Sequence, residues 1–259
     1  MSFGMRMGLG LGGGARRVFT PKLISGLKMW LDGTKGLTTR DDAGTLYVTA
    51  WADQSGNGID VAQSILAAQP LLLSGGGARF AGGVDDEWLA SYCDRSKLRF
   101  LHQEHTVFFA LKRRGEGGGQ DYIYSTHDHS ASTNAGNNLR TSTSTPTSLI
   151  MQNSNGTDYV YSPIANNTGF NLNTDYVVTE WADADSAVVR LNGTPGQAGV
   201  RVEAYAVGDP SHNLTIGSTT YGGDGIDIDL YEVVGYDRAL TSAEILKVEA
   251  YLSKRWGIS

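Results

Sequence analysis

The chain of 259 residues is poor in several residue types, and each scarcity excludes a class of protein. Its one cysteine, Cys93, rules out an internal disulfide framework, so the fold must be stabilised by packing. No apolar run approaches the roughly 20 residues that a membrane-spanning helix needs. Residues 1–31 contain no acidic side chain, whereas the net charge is −6, so the rest of the chain is acidic and a poor general binder of nucleic acid.

The first 22 residues form a glycine-rich, basic segment that we treat as an N-terminal arm. Six of residues 4–14 are glycine, which favours a flexible chain, yet the apolar residues alternate as in a strand that adds to a partner's sheet. The candidate assembly residues are Met5, Arg6, Met7, Leu9, Leu11, Arg16 and Arg17. A disordered tail and a DNA-contacting arm are the alternatives. Because glycines interrupt the apolar positions, we expect no signal peptide and synthesis in the host cytoplasm.

Residues 23–259 carry the pattern of one all-β domain. Runs rich in branched and aromatic residues predict strands at Leu27–Asp32, Thr45–Trp51, Thr106–Leu111, Tyr176–Trp181 and Ala187–Leu191. The run at 106–111 is almost wholly apolar, which predicts a central strand buried on both faces. Turn signals such as Asn192-Gly193 recur every roughly 8–15 residues, the rhythm of a sandwich or jelly roll.

One helix is predicted near the C-terminus. Thr241 and Glu244 fit a capping box, in which each side chain bonds the other's backbone N–H group. The apolar residues that follow at helical spacing are Ile245, Val248, Tyr251 and Leu252. Gly257 is the expected stop. Such a helix would fasten the C-terminus onto the sandwich.

Several segments in order carry a family resemblance. They are Gly26–Asp32, Trp51–Gly58, Ala78–Asp86, Val188–Gly193, Gly235–Thr241 and Trp256–Ile258. Over about residues 24–259 the chain resembles the concanavalin A-like lectin/glucanase superfamily, in its laminin-G-like branch and of the type found in bacteriophage structural proteins. The resemblance implies a two-sheet antiparallel jelly-roll sandwich with a short C-terminal helix and an extended N-terminal arm. Family members bind glycans, calcium or proteins or serve as structural modules, so fold alone does not select a function.

Two acidic loops are candidate calcium sites. Asp85 and Asp86 follow a predicted strand and offer the hard oxygen ligands that Ca²⁺ takes, although one loop supplies too few for a complete cage. A turn that orders its own backbone is the alternative. In the earlier turn, Asp53 and Asn57 would bond neighbouring backbone groups or present oxygen to calcium. No cofactor is required by this interpretation, and Ca²⁺ is the one metal it admits there.

A third acidic group echoes the catalytic strand of the glucanase branch. Asp227 and Asp229 share a strand face, and Glu232 joins them only if a bulge near Leu230-Tyr231 rotates it back. A retaining hydrolase would need two such carboxyl groups roughly 5–5.5 Å apart. Because the first position is Asp where the glucanases use Glu, we expect no enzyme activity.

The loop around His127-Asp128-His129 has two histidines that a third ligand would convert into a transition-metal site. A polar loop without metal is the alternative. No Ser–His–Asp or Cys–His pattern has a recognisable nucleophile, and we expect the Cys93 thiol to be buried.

Exposed aromatic residues are the candidate sugar platforms. The candidates are Trp88, Tyr92, Tyr122, Tyr124, Tyr159, Tyr161 and Tyr221, and core packing is the alternative for some of them. We select Tyr159, Tyr161, Trp88 and Tyr221. Tyr159 and Tyr161 share a strand face beside the polar stretch 153–158, which is the strongest sequence signal for a glycan platform.

These observations favour a non-enzymatic protein of the bacteriophage virion surface, either a capsid decoration or a tail protein. A virus that leaves its host by lysis needs no secretion signal on its surface proteins. The expected partners are other virion proteins, a further copy of the chain and cell-surface glycans, with no membrane and no specific nucleic acid. A bacterial carbohydrate-binding module is the first alternative, and a glycoside hydrolase is the second.

Overall fold

The computed structural model describes residues 18–82, 87–116, 120–126, 135–142, 145–155, 159–162, 169–200, 208–219 and 223–259, with backbone only for 155 and 159–162. Several predicted residues lie outside this description, namely Met5, Arg6, Met7, Leu9, Leu11, Arg16, Arg17, Asp85, Asp86, His127, His129 and Tyr221. Their predicted roles therefore stay predictions.

The described residues form eighteen strands and one α-helix. In chain order the strands are β1 (Leu27–Asp32), β2 (Leu37–Asp42), β3 (Thr45–Trp51), β4 (Val61–Ala62), β5 (Leu71–Leu72), β6 (Ala78–Phe80), β7 (Leu89–Ser91), β8 (His105–Arg113), β9 (Tyr122–Ser125), β10 (Ala135–Thr141), β11 (Leu149–Asn155), β12 (Tyr159–Ser162), β13 (Thr174–Ala182), β14 (Ser186–Leu191), β15 (Thr194–Pro195), β16 (Gly199–Val200), β17 (Thr215–Ile216) and β18 (Ile228–Tyr236). The helix α1 spans Ser242–Trp256, and short 3-10 helices lie at Pro21–Leu23, Leu66–Ala68 and Arg95–His102.

The strands pair in an antiparallel manner into two layers. In the first sheet, β1 and β6 flank one edge of β18, and β8, β13 and β14 follow on its other side. In the second sheet the order is β2, β3, β4, β7, β17, β9, β10, β11 and β12. The short strand β5 joins the layers because it pairs with both β3 and β6. The predicted all-β antiparallel sandwich is confirmed.

The main core lies between the two sheets. Trp51, Phe80 and Phe109 belong to it and are buried. Strand β8 is buried on both faces, because Phe109 points into this core and Phe108 points to the opposite side of the first sheet. The predicted central strand is therefore confirmed.

Helix α1 covers the outer face of the first sheet, the face turned away from the second sheet. Thr241 accepts a hydrogen bond from the Glu244 backbone, while the Glu244 carboxylate accepts one from Thr241 N at 3.0 Å, so the predicted capping box is confirmed. The helix ends at Gly257, whose φ of 68° is left-handed. Val248 and Leu252 form a second core with the sheet. No helix in the described ranges is long and apolar enough to cross a membrane.

The turn after β3 fastens the start of β1. Both Asp53 carboxylate oxygens accept hydrogen bonds, from Trp30 N at 2.8 Å, from Ser55 N at 2.8 Å and Ser55 Oγ at 2.6 Å, and from Ile59 N at 3.2 Å. Asn57 Nδ2 donates to the Lys28 carbonyl at 3.0 Å. The structural interpretation of this turn is confirmed.

The last residues of the predicted arm, 18–22, pack on the body. The Phe19 ring lies 5.6 Å from the Tyr251 ring of α1, and the Tyr236 hydroxyl donates to the Pro21 carbonyl at 3.1 Å. The extended part of the arm that remains a prediction is therefore residues 1–17.

Candidate functional site

Strand β7 places two aromatic side chains on the outer face of the second sheet. Leu89 points into the main core, so the two-residue alternation of a strand directs Trp88, Ala90 and Tyr92 to the opposite face. Tyr92 is 66% exposed and Trp88 is half-buried. Residues four apart on a strand are separated by about 13 Å. The small side chain of Ala90 leaves a depression between the two rings.

This depression is a groove of about 330 Å³. Its lining consists of Trp88, Ala90, Tyr92, Arg95, Ser211, His212, Asn213 and Thr215. Thr215 of β17 pairs directly with Ala90 and completes the floor, whereas the segment 211–213 forms one wall. A groove of this size is within the range of small-ligand sites in proteins.

Hydrogen bonds fix the wall of the groove. The Arg95 guanidinium donates to the Ser211 carbonyl, although the two residues are 116 positions apart. Ser211 N donates to Ala135 O at 2.7 Å, and His212 N donates to Thr126 O at 3.2 Å. Because these bonds tie segment 211–213 to the second sheet, the groove is built before any ligand arrives.

The lining suits a polar, hydroxyl-rich ligand. Two aromatic rings supply apolar surface with one polar end each. The Asn213 amide, the Thr215 hydroxyl and the Arg95 guanidinium add hydrogen-bonding groups around that surface. No carboxylate belongs to the described lining. We therefore take the groove, which we name the Trp88–Tyr92 groove, as the candidate site.

Two other aromatic residues that were candidate sugar contacts are buried, so that interpretation is wrong for them. Tyr122 and Tyr124 are inaccessible to solvent, and the Tyr124 ring stacks on Phe109 with centroids 5.6 Å apart. The Tyr124 hydroxyl donates to the buried Glu180 carboxylate at 2.8 Å. Burial and the nearby Glu180 charge raise the pKa of Tyr124 well above its ordinary value. Neither ring offers a surface to a sugar.

The predicted pair Tyr159 and Tyr161 lies on β12, opposite Ser154 and Gln152 of β11. The backbone alternation places both residues on one face, as predicted. Their side chains lie outside the description, so the glycan platform proposed for them stays a prediction.

Strand β18 contains a bulge at the position that the glucanase alternative would require. The pairing of β18 with β8 shifts between Leu230 and Glu232. Leu230 and Val233 both point into the main core, so the residues between them point outward. Asp229 and Glu232 therefore share the outer face of the first sheet.

These carboxylates are engaged in ion pairs and hydrogen bonds. Asp229 accepts from Arg114 Nε at 2.7 Å, and Asp227 accepts from Arg79 Nη2 at 2.5 Å. Glu232 is fully buried beneath α1. Its carboxylate accepts from Trp30 Nε1 at 2.6 Å, Trp256 Nε1 at 2.8 Å and Tyr251 Oη at 3.0 Å, and it pairs with Arg255 Nε at 3.3 Å.

Burial determines the electrostatics of this group. Loss of solvent raises the pKa of Glu232 against the opposing effect of the Trp30, Arg255 and Trp256 donors. Burial also raises the pKa of Asp227. Glu232 is therefore covered by α1, and Asp229 is buried and paired with Arg79 and Arg114.

The described residues contain no group of three or more His, Cys, Asp and Glu side chains arranged to hold a metal ion. Glu87 borders the predicted calcium loop, and its carboxylate accepts from Ala81 N at 2.8 Å. Burial raises the pKa of Glu87 to about 7. Calcium binding at Asp85 and Asp86 stays a prediction.

Part of the candidate groove was invisible in the sequence. The alternation Trp88-Leu89-Ala90-Ser91-Tyr92 was a usable signal for two aromatic residues on one face. Arg95 and segment 211–213 gave no signal, because only the fold brings them together. Cys93, directly after Tyr92, is half-buried and packs against the main core, with burial raising the pKa of its thiol.

A second, more apolar groove of about 740 Å³ runs along α1. Its lining consists of Val18, Phe19, Lys247, Ala250, Tyr251, Lys254 and Arg255. Val18 is 84% exposed there, directly after the arm residues 1–17. This groove lies on α1, the helix that covers the first sheet, whereas the Trp88–Tyr92 groove lies on the second sheet.

No family model matches the chain, and no curated protein matches it in sequence. Solved structures do match in fold. The binding domain of botulinum neurotoxin DC, solved with rat synaptotagmin II, has a TM-score of 0.58 at 13% identity over 88% of this chain and 52% of that one. A structure of botulinum neurotoxin type C, whose cell entry depends on two ganglioside molecules, matches with a TM-score of 0.58 at 13% identity over 88% and 51%.

Trypanosoma rangeli sialidase is similar with a TM-score of 0.55 at 15% identity, over 89% of this chain and 33% of that one. The chain thus spans about half the length of the neurotoxin domains and a third of the sialidase. At these identities the likeness is one of fold. The chain has the lectin-like β-sandwich fold that these receptor-binding domains and this sialidase contain.

Proposed function

We propose that the protein is a non-enzymatic, glycan-binding protein of the bacteriophage virion surface. The observation that carries the glycan-binding part is the Trp88–Tyr92 groove, in which two aromatic rings flank a small residue on an open sheet face. Aromatic rings present apolar area at low entropic cost, and the surrounding polar groups set orientation and specificity.

The structural comparisons support a binding role. One neighbour is described by its interaction with gangliosides, and another is a sialidase. The carboxylates of β18 favour binding over hydrolysis. Glu232 and Asp229 accept hydrogen bonds from other side chains of the protein and are not presented to a substrate.

The virion part rests on the arm and on the place where it joins the body. Val18, the residue that follows the arm in the sequence, lines the apolar groove. The arm and this groove would contact the same neighbouring capsid or tail subunit. The Trp88–Tyr92 groove, on the other sheet, would then face away from the particle.

A glycan array with the full chain tests the binding function. We expect Tyr92→Ala and Trp88→Ala each to weaken binding of any captured glycan at least tenfold, because each removes one ring of the groove. Thr38→Leu, at an exposed position of the same sheet, is the matched control. Undiminished binding by both ring variants, or no binding by the wild type, would refute the proposal.

Hydrogen exchange tests the anchoring function. Residues 3–17 should be protected from exchange only in the assembled particle, and equal lability in both states would count against anchoring. A bacterial carbohydrate-binding module, the rival, would bind glycans equally after removal of residues 1–17 and would show no partner-dependent protection.

A further inference from the structure

We propose that the Trp88–Tyr92 groove selects acidic glycans, those bearing a carboxylate or a sulfate group, and that Arg95 is the residue that recognises the acidic group. This inference rests on the glycan-binding function proposed above and names the ligand class of the same groove.

Arg95 differs from the other arginines in the described part of the chain. Its side chain is exposed, and no carboxylate of the described residues forms a salt bridge with it. The arginines that do pair with a carboxylate are Arg40, Arg79, Arg99, Arg114, Arg190, Arg238 and Arg255. The remaining two, Arg113 and Arg140, are buried. Arg95 is therefore the one exposed arginine of the described residues that forms no salt bridge with a described acid, although the neighbouring Asp94 charge interacts with it.

The position of this charge is fixed. Nη1 of Arg95 donates to the Ser211 carbonyl, which holds the guanidinium against the wall of the groove. The Nε and Nη2 groups remain as the pair of parallel donors that fits a carboxylate or sulfate. The adjacent carboxylate, that of Asp94, accepts a hydrogen bond from Ser96 N at 2.9 Å as the cap of the 3-10 helix and does not line the groove.

The overall charge of the protein argues against a nonspecific origin for such selectivity. At a net charge of −6 the protein as a whole repels polyanions, so attraction of an acidic sugar requires a local cation. Among the described residues that line the groove, Arg95 is the only one with a permanent positive charge. The two rings provide the sugar-binding surface, and Arg95 adds the preference for the acidic group.

Matched pairs of polysaccharides test this selectivity. We would measure the affinity of the full chain for polygalacturonate and its methyl ester, and for dextran sulfate and dextran, at physiological salt. Each pair shares sugar and linkage and differs in the acidic group. We expect at least one acidic member to bind ten times or more tightly than its neutral partner. Preference in the first pair alone identifies the carboxylate, and preference in the second identifies the sulfate.

Variants assign the selectivity to Arg95. The readout is the acidic-to-neutral affinity ratio. Arg95→Gln should bring it close to 1, and Arg95→Lys, which keeps the charge and loses the paired donors, should give an intermediate ratio. Lys247→Gln on α1 removes the same charge far from the groove and should leave the ratio unchanged.

The outcomes distinguish failure of the acidic selectivity from failure of the proposed glycan binding. Equal wild-type binding of acidic and neutral members, or a ratio that survives Arg95→Gln, overturns the inference and leaves glycan binding intact. Equal binding of polyglutamate, an anion without sugar, also overturns it. Failure of the wild type to bind any glycan, on these pairs and on the array, removes the glycan-binding function itself.

Discussion

The two outer faces of the sandwich differ in what covers them. On the first sheet, α1 packs over Glu232, which is fully buried and bonded to two indoles and a phenol. On the second sheet, β7 presents Tyr92, which is 66% exposed beside a groove. Both faces use the same strand alternation, so the sequence pattern alone does not distinguish them. The carboxylates that resemble a catalytic pair are buried or held in ion pairs, whereas Trp88, a predicted sugar contact, lines an open groove.

The largest effect on stability is expected from a substitution on the face that α1 covers. Glu232→Ala removes the acceptor shared by Trp30, Trp256 and Tyr251 and leaves Arg255 without one of its partners. Loss of one partner of a buried pair costs roughly 3–5 kcal/mol. Urea denaturation measures the free energy of unfolding. Glu232→Gln retains one acceptor oxygen and should lose less. A loss below about 1 kcal/mol for the alanine variant would contradict this account.

The next effect concerns the open face. Ala90→Leu fills the depression between the two rings and should weaken glycan binding at least tenfold, equivalent to about 1.4 kcal/mol. Fluorescence titration with a glycan captured on the array measures it. Thr38→Leu adds a similar side chain to an exposed position of the same sheet and should leave the affinity unchanged. Retained affinity in the Ala90 variant would exclude the groove as the sugar site.

A smaller effect on stability is expected at the N-terminus of α1, the helix that covers the first sheet and that, among the described residues, has no counterpart over the groove of the second. Thr241→Ala removes the cap of α1 and should lower the free energy of unfolding by about 1 kcal/mol. Thr241→Ser retains the hydroxyl and should be close to the wild type. Thermal unfolding of the three proteins in parallel provides the measurement, and equal midpoints for alanine and serine would show that the cap is not used.

The last prediction is a pH dependence beside the open face. Glu87 has an ordinary pKa of 4.5 that burial raises to about 7. Between these values the unfolded chain has released the proton and the folded protein still holds it, so stability falls as pH rises through this window. Glu87→Gln removes this contribution and should flatten the stability profile between about pH 4.5 and 7. Glu104→Gln, an exposed position, is the control, and a profile of Glu87→Gln equal to the wild type would contradict the shift.

Local patterns in the sequence predicted the parts of the fold that local physics determines. The apolar run at 106–111 became the strand buried on both faces, and Thr241 with Glu244 formed the capping box. The bulge in β18 was not predicted, because strict alternation places Glu232 on the face opposite Asp229 and the sequence contained no signal that would decide otherwise.

The assembly of the groove was not predictable in the same way. Tyr92 and Trp88 could be placed on one face, but Arg95 meets Ser211 only because β7 pairs with β17 across more than a hundred residues. The cover over Glu232 likewise depends on the contact of α1 with the first sheet. Alternation within a single strand shows which side chains share a face, but it does not show which distant strand pairs with it. That pairing depends on the whole fold.

The single cysteine of the chain gives this surface a reporter that needs no engineering. Cys93 directly follows Tyr92, and its half-buried thiol packs against the main core. A thiol whose pKa burial has raised reacts slowly with alkylating reagents until the strand around it opens. The alkylation rate therefore measures how often the segment around Cys93 opens locally. A ligand that bridges Trp88 and Tyr92 should lower that rate.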